Sequence, residues 1–175
     1  MHKKISYLLL ILVLPLSAKI LISPVDAMKN SYGSSAKIIK KNITLNKKEI
    51  KAVQESAKVK LKSKTFKTFK ASKSGKTVGY GVLINRKVRS KNAVVLYLIS
   101  KDSILKSIEI IAFNEPHEYI PSKKWISQFE NVTTDKKLRV GKEIQTITGA
   151  TMSARSLTDG SRLAFSIYNE LLKGK

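Results

Sequence analysis

The chain has 175 residues, 42% of them hydrophobic, which is enough for one domain with a real hydrophobic core. It carries 34 Lys plus Arg against 12 Asp plus Glu, and this net charge of +22 favours anionic partners without deciding the fold. It has no Cys, which excludes disulfides, thiolate metal sites, iron–sulfur clusters and a lipoprotein anchor on cysteine.

Residues 1–27 are predicted to be a signal peptide. A basic start is followed by the apolar run Ile5–Ala18 and by small residues at Val25-Asp26-Ala27. The apolar run is shorter than the roughly 20 residues that span a bilayer. An uncleaved membrane anchor is the alternative. Residues 28–43 are predicted to be a linker, and residues 44–175 a single domain.

The positive charge is concentrated near the start of the predicted domain. Between Ala36 and Lys76 there are 14 lysines and two acids, whereas residues 92–175 hold 12 basic and nine acidic side chains. Within the basic part, Asn46 and Glu49 have the spacing of a helix capping box, followed by an apolar stripe at helical spacing. We therefore expect a lysine-covered, amphipathic helix there.

The middle of the chain is predicted to be rich in strands. Three apolar or alternating segments separated by polar turns indicate strands over Val78–Ile84, Ala93–Ile99 and Ile104–Phe113. A short helix is expected over Ser122–Phe129, and a long one over Thr151–Leu172. The predicted fold class is α+β, with an antiparallel sheet packed against a long C-terminal helix and a shorter N-terminal helix.

One segment carries a specific chemical pattern. Thr146–Ser153 is a turn of small and hydroxyl-bearing residues that leads directly into the long helix. Gly149 permits a left-handed backbone, and the first turn of a helix attracts anions through its free N–H groups and its dipole. These residues predict either a phosphate site at Thr151 and Ser153 or a hydroxyl-rich helix cap with nothing bound.

Thr148-Gly149-Ala150-Thr151 resembles the Ser/Thr-Gly-Ala-Thr signature of the FMN-binding domain family. That family includes subunits of sodium-pumping quinone reductases and related ferredoxin-linked membrane complexes, and stand-alone exported flavoproteins. The resemblance implies that Thr151 carries FMN through a phosphoester bond, which a flavin transferase installs using FAD and magnesium. It also implies that the segment around Thr151 binds the cofactor, namely Thr148, Gly149, Ala150, Met152 and Ser153.

Further segments resemble the family in the same order along the chain. They are Gly79-Tyr80-Gly81, Glu115-Pro116-His117-Glu118, Trp125-Ile126-Ser127-Gln128-Phe129 and Ser153–Gly160. From them we expect Glu115, His117 and Trp125 to border the flavin. Tyr80, Tyr119 and Phe129 are further candidates to stack on it or shield it. Core packing for the aromatic residues, and simple solvation for His117, are the alternatives.

Two positions stand apart from this pattern. Many family members have Asp six residues before the modified Thr, where this chain has Gln145, so slow or absent modification stays open. Gly160 lies inside the predicted long helix and costs roughly 1 kcal/mol relative to Ala. A close approach of the helix backbone, either to the sheet or to a ligand, would compensate for that cost.

The resemblance implies an electron carrier rather than an independent enzyme. No catalytic residue and no metal site is predicted. The expected partners are a flavin transferase and redox donor and acceptor proteins or a quinone-linked membrane complex, at the periplasmic or extracytoplasmic face of a membrane. An anionic membrane surface is a further possible partner, and nucleic acid is not expected. The alternatives are a lysine-rich module that binds anionic membranes or surface polymers, and a flavin-free scaffold.

Overall fold

The structure is a computed structural model, and it describes residues 20–175. Its helices are α1 (Pro24–Tyr32), α2 (Lys47–Ala57), α3 (Lys123–Ile126) and α4 (Thr151–Ile167), which continues as a π-helical segment over Tyr168–Leu172. Its strands are β1 (Lys37–Thr44), β2 (Thr65–Lys73), β3 (Lys76–Lys87), β4 (Asn92–Ser100), β5 (Ile104–Phe113) and β6 (Val132–Thr133). Two 3₁₀ turns cover His117–Tyr119 and Ser127–Phe129.

The six strands form one antiparallel sheet in the order β1-β2-β3-β4-β5-β6. The predicted α+β class is confirmed, and so are the three predicted strands, which correspond to β3, β4 and β5. The capping box is confirmed as well. Asn46 Oδ1 accepts from the Glu49 N–H at 3.0 Å, and Glu49 Oε2 accepts from the Asn46 N–H at 2.8 Å. The predicted long and short helices are present as α4 and α3.

The first face of the sheet is covered by α2 and α4. Every second residue of each strand points to this face, and these residues form the larger hydrophobic core with the buried side of α4. Gly160 of α4 lies against Tyr97 of β4 with no room for a methyl group between them. The Tyr97 hydroxyl donates to the Leu157 carbonyl at 2.9 Å. The glycine therefore serves a close helix–sheet approach, which is one of the two explanations the sequence left open.

The second face of the sheet is partly covered by α1. Met28 and Tyr32, both buried, fill the space above Gly81 and Gly79 of β3, where a Cβ atom would meet their side chains at 2.7 Å or less. The Tyr32 hydroxyl also donates to the Ile99 carbonyl at 2.8 Å. Helix α1 is thus an integral part of the packed domain.

The predicted linker over residues 28–43 is wrong, because α1 and β1 occupy most of that range. Gly33, Ser34 and Ser35 form the turn between these two elements. The predicted signal peptide lies mainly in residues 1–19, outside the described residues. Its expected cleavage point after Ala27 falls inside α1, where Ala27 is 1% exposed. Within residues 20–175, no helix is both long and apolar enough to cross a membrane.

Candidate functional site

The segment that leads into α4 has an unusual helix start. Gly149 has φ +77°, the left-handed conformation that favours glycine. Ala150 occupies the N-cap position with φ −128° and ψ 36°, and it offers no side-chain cap. Thr151 is the first residue of α4 and its side chain is exposed. The predicted FMN attachment residue therefore lies at an accessible helix N-terminus.

None of the nearby hydroxyl groups caps this helix. The Thr151 hydroxyl lies 3.5 Å from the carbonyl oxygen of Ile147, a long contact. The Ser153 hydroxyl is buried and donates to the Tyr119 carbonyl at 2.6 Å. Within residues 20–175, the N–H groups of Thr151 and Met152 have no hydrogen-bond acceptor. The hydroxyl cap, which was one of the two interpretations of the sequence, is therefore not formed. The N–H groups at the start of α4 remain open to an anion.

Ser153 connects this helix start to the loop after β5, where the predicted residues Glu115 and His117 lie. Glu115 is 7% exposed, and its carboxylate accepts hydrogen bonds from the backbone N–H groups of Arg89 and Lys91 at 2.9 and 2.7 Å. Ser90 adds its N–H and, at 3.0 Å, its hydroxyl. These donors hold the pKa of Glu115 at about 2, far below its ordinary value. The Glu115 carboxylate therefore fixes the β3–β4 loop to the β5 loop and is ionised at neutral pH.

The two loops also meet through side chains. The Arg89 guanidinium donates to the Tyr119 hydroxyl at 3.0 Å and lies 5.6 Å from the centroid of the Tyr119 ring. His117 is exposed at the start of the 3₁₀ turn that contains Tyr119. The Tyr119 carbonyl is the acceptor for Ser153, so Arg89, Tyr119 and the first turn of α4 form one connected surface.

Trp125 has a different place from the one expected of a flavin-stacking residue. It is 9% exposed, and its ring packs edge-on against Phe129 with a centroid distance of 5.3 Å. Its indole N–H donates to the Gln145 carbonyl at 2.9 Å. The Gln145 N–H donates in turn to the Gln128 side-chain oxygen at 2.7 Å. Trp125 and Gln128 therefore hold the chain that leads into the motif, while the Gln145 residue itself is exposed.

Tyr80 is not near the motif. Along β3 it lies seven residues from Lys87, a distance of roughly 23 Å for an extended chain, and Lys87 is the residue whose carbonyl contacts Ser156 of α4. The Tyr80 ring packs against Tyr168 near the end of the described chain, with centroids 5.6 Å apart. The structure thus brings Thr151, Ser153, Glu115 and His117 to one end of the sheet and places Tyr80 toward the other.

Sequence reasoning missed two residues of this region, Arg89 and Gln128. Arg89 lies in a polar turn without a periodic pattern, so no sequence signal marked it. Gln128 stands inside the quoted aromatic-Gln-Phe segment, and its amide both accepts from Gln145 and donates to the Trp125 carbonyl at 2.7 Å. The conformation of the loop depends on this amide, and the family-like segment was the available hint.

The comparisons with known proteins add no assignment. No protein-family model matches the chain, and no curated protein matches it. Within residues 20–175, no group of His, Asp or Glu side chains is arranged to hold a metal ion.

Proposed function

We propose that this protein is an exported flavoprotein that carries FMN on Thr151 through a phosphoester bond and transfers electrons at an extracytoplasmic membrane face. The observation that carries the proposal is the start of α4. An exposed hydroxyl stands there beside N–H groups that no side chain caps, directly after a left-handed glycine. The family-like signature over residues 148–151 is the basis for proposing a phosphoester bond to FMN, and the uncapped start of α4 supports this proposal.

The phosphate of FMN suits this helix start. A phosphate esterified to the Thr151 hydroxyl would lie within reach of the free N–H groups of Thr151 and Met152. Backbone N–H groups and the positive end of the helix dipole stabilise an anion at this position. Ser153 leaves the space open, because its hydroxyl points to the Tyr119 carbonyl instead of capping the helix.

We expect the residues around Thr151 to have different roles in holding the flavin ring. Tyr119 and Arg89 form the connected surface next to the first turn of α4, so we expect the ring to rest against them. Trp125 acts at a distance, because its indole N–H positions the segment before the motif. When bound, FMN supplies the redox chemistry. The protein supplies orientation and a positive environment from cations such as Arg89 and the exposed Arg155.

Covalent attachment is tested by expressing the full chain with a flavin transferase, FAD and magnesium, and then denaturing the product on a gel. We expect flavin fluorescence in the protein band and its complete loss in Thr151→Ala. Thr151→Ser keeps a hydroxyl at the same position and serves as the matched control that retains some fluorescence. A dark wild-type band contradicts the proposal and favours the flavin-free scaffold or the anion-binding module.

Gln145 offers a second test of the same proposal. Its backbone N–H and carbonyl hold the loop, while the residue is exposed. Gln145→Asp should therefore preserve the loop and restore the carboxylate that many family members have at this place. We expect faster flavin incorporation in Gln145→Asp than in the wild type, measured as fluorescence per protein over time. An equal or slower rate shows that this carboxylate does not assist the transferase here.

A further inference from the structure

We propose that the end of the second sheet face that α1 leaves uncovered is a docking surface for an anionic membrane. This inference goes beyond the proposed function and does not depend on bound flavin. The surface, called here the docking face, is a patch on β2, β3 and β4 with the loop before β2, together with the start of the described chain beside β5.

The docking face is a shallow cavity of about 490 Å³ with a cationic rim and an apolar floor. Its rim carries the exposed lysines Lys62, Lys67 and Lys87, and its floor includes Leu83 and Val94. Phe66 and the hydroxyl and amide groups of Ser63, Thr65, Asn85 and Asn92 complete the lining. No acidic residue lines it among residues 20–175. A surface with clustered lysines, hydrogen-bond donors and exposed apolar atoms matches anionic lipid headgroups above acyl chains.

The strand register confirms that these residues share one face. Leu83 pairs with Lys67, Asn85 with Val94, and Lys87 with Asn92. Cross-strand partners project to the same side of a sheet, and so do alternate residues along β3. Leu83 and Val94 both pack at the border of the core beneath α1, which places the cavity directly beside that helix.

The start of the described chain extends the apolar floor. Val94 pairs with Ala112, and Ala112 forms a bridge with Ile20, so one cross-strand row continues from the cavity to the first described residue. Ile20 is 70% exposed, and Leu21 and Val25 are 43% and 39% exposed. Exposed apolar side chains of this size beside a cationic cavity indicate contact with a partner rather than with water alone.

The amino-acid sequence before Ile20 favours lipid as that partner. Ile20 forms an antiparallel bridge with Ala112, and the Leu21 N–H donates to the Ile111 carbonyl at 2.9 Å, so the described chain begins beside the end of β5 that α1 leaves uncovered. That upstream sequence contains the apolar run Ile5–Ala18 after Lys3-Lys4. A chain whose apolar N-terminal run inserts into a bilayer would hold the docking face against the same surface.

The absence of cysteine from the sequence permits a direct test of orientation. In the full chain without flavin, Asn85→Cys within the docking face and Ser35→Cys in the exposed turn after α1 are each labelled with a polarity-sensitive fluorophore. With vesicles of phosphatidylcholine and phosphatidylglycerol, we expect a blue shift and quenching by nitroxide-labelled lipid at position 85 and no change at position 35. Equal responses at both positions, or none at 85, overturn the proposal.

Charge variants separate local docking from general attraction. Lys62→Gln, Lys67→Gln and Lys87→Gln together remove three charges from the docking face. Lys37→Gln, Lys73→Gln and Lys76→Gln remove three exposed charges from the opposite end of the strands.

We expect the first triple variant to weaken vesicle binding and the position-85 response by about 10- to 100-fold, and the second by less than about 3-fold. Equal losses in the two variants show that net charge alone drives the attraction and overturn the docking face. A position-85 response to heparin but not to vesicles would instead identify a soluble polyanion as the ligand. Neither result bears on flavin attachment, because the protein tested carries none.

Discussion

Helices α2 and α4 both begin after polar sequence, and their first turns are built in opposite ways. In α2, Asn46 and Glu49 satisfy each other's backbone N–H groups through a complete capping box. In α4, Ala150 provides no cap, and the Ser153 hydroxyl is bonded elsewhere. A cap stabilises a helix by satisfying its free N–H groups, whereas an uncapped start keeps them available for a ligand. The comparison shows that hydroxyl residues near a helix start are no guide to capping until their partners are known.

The largest expected effect is the complete loss of flavin attachment when the side chain at the start of α4 is removed, compared with removal of the cap of α2. Asn46→Ala should lower the free energy of unfolding by about 1 kcal/mol through loss of the cap, and leave flavin attachment unchanged. Thr151→Ala should change the unfolding free energy by less than about 0.5 kcal/mol and abolish attachment. Denaturant unfolding of flavin-free protein and in-gel fluorescence give the two readouts. The comparison fails if Thr151→Ala destabilises the domain as much as Asn46→Ala.

A partial effect, on stability alone, is expected where α4 meets the sheet. By helix propensity alone, Gly160→Ala would stabilise α4 by roughly 1 kcal/mol. The added methyl group would press on the buried Tyr97 ring, so we expect a net destabilisation of about 1–3 kcal/mol, measured by denaturant unfolding. Tyr97→Phe in the same chain removes the crowding hydroxyl and should recover part of the loss. A stabilised Gly160→Ala protein would disprove the close approach.

The next effect concerns the loop beside the α4 start. The pKa of Glu115 is lowered to about 2 from 4.5, so its stabilising contribution is complete above pH 4.5 and is lost as the pH falls toward 2. Glu115→Gln should therefore lower Tm at neutral pH and flatten the decrease of Tm over this acid range. Glu118→Gln, at an exposed position three residues along, is the matched control. A Tm profile of Glu115→Gln parallel to that of the wild type contradicts the assignment.

The smallest effect concerns the redox potential of attached flavin. Reduced flavin tends toward an anion, so nearby cations should raise the potential above that of free FMN at low salt. Arg89→Gln should lower it by tens of millivolts, whereas Lys73→Gln, at the far end of β2, should leave it unchanged. Salt should reduce the difference, because the screening length falls to about 10 Å at 0.1 M. A potential at or below that of free FMN would refute this expectation.

The sequence predicted the elements whose burial produces a periodic pattern. Strands β3, β4 and β5 and helix α4 are recognisable because their apolar residues line a core. Strand β1 was missed because six of its eight residues are exposed, so its pattern does not alternate. Helix α1 was missed because Met28 and Tyr32 pack into gaps at Gly81 and Gly79, about 50 residues away, and nothing local indicates that packing.

The candidate site was predictable to the same degree. The position of Thr151 at the start of a long helix follows from the local sequence, and the structure agrees. The structural roles of Glu115 and Trp125 were not predictable, because their partners are backbone groups of distant loops, the N–H groups of residues 89–91 and the carbonyl of Gln145. Sequence letters identify side chains, and they do not reveal which backbone atoms a fold will place beside them.

Strand β1 gives the lysine surplus a further meaning. Among residues 20–175 it is an edge strand, with β2 as its neighbour on one side and no strand on the other, and it carries Lys37, Lys40 and Lys41 in exposed positions. The unpaired backbone groups of an edge strand are a template for pairing with a strand of another copy. Charge repulsion between such lysines opposes that pairing. Part of the basicity therefore opposes edge-to-edge pairing of β1 between copies of the chain, in addition to favouring anionic partners.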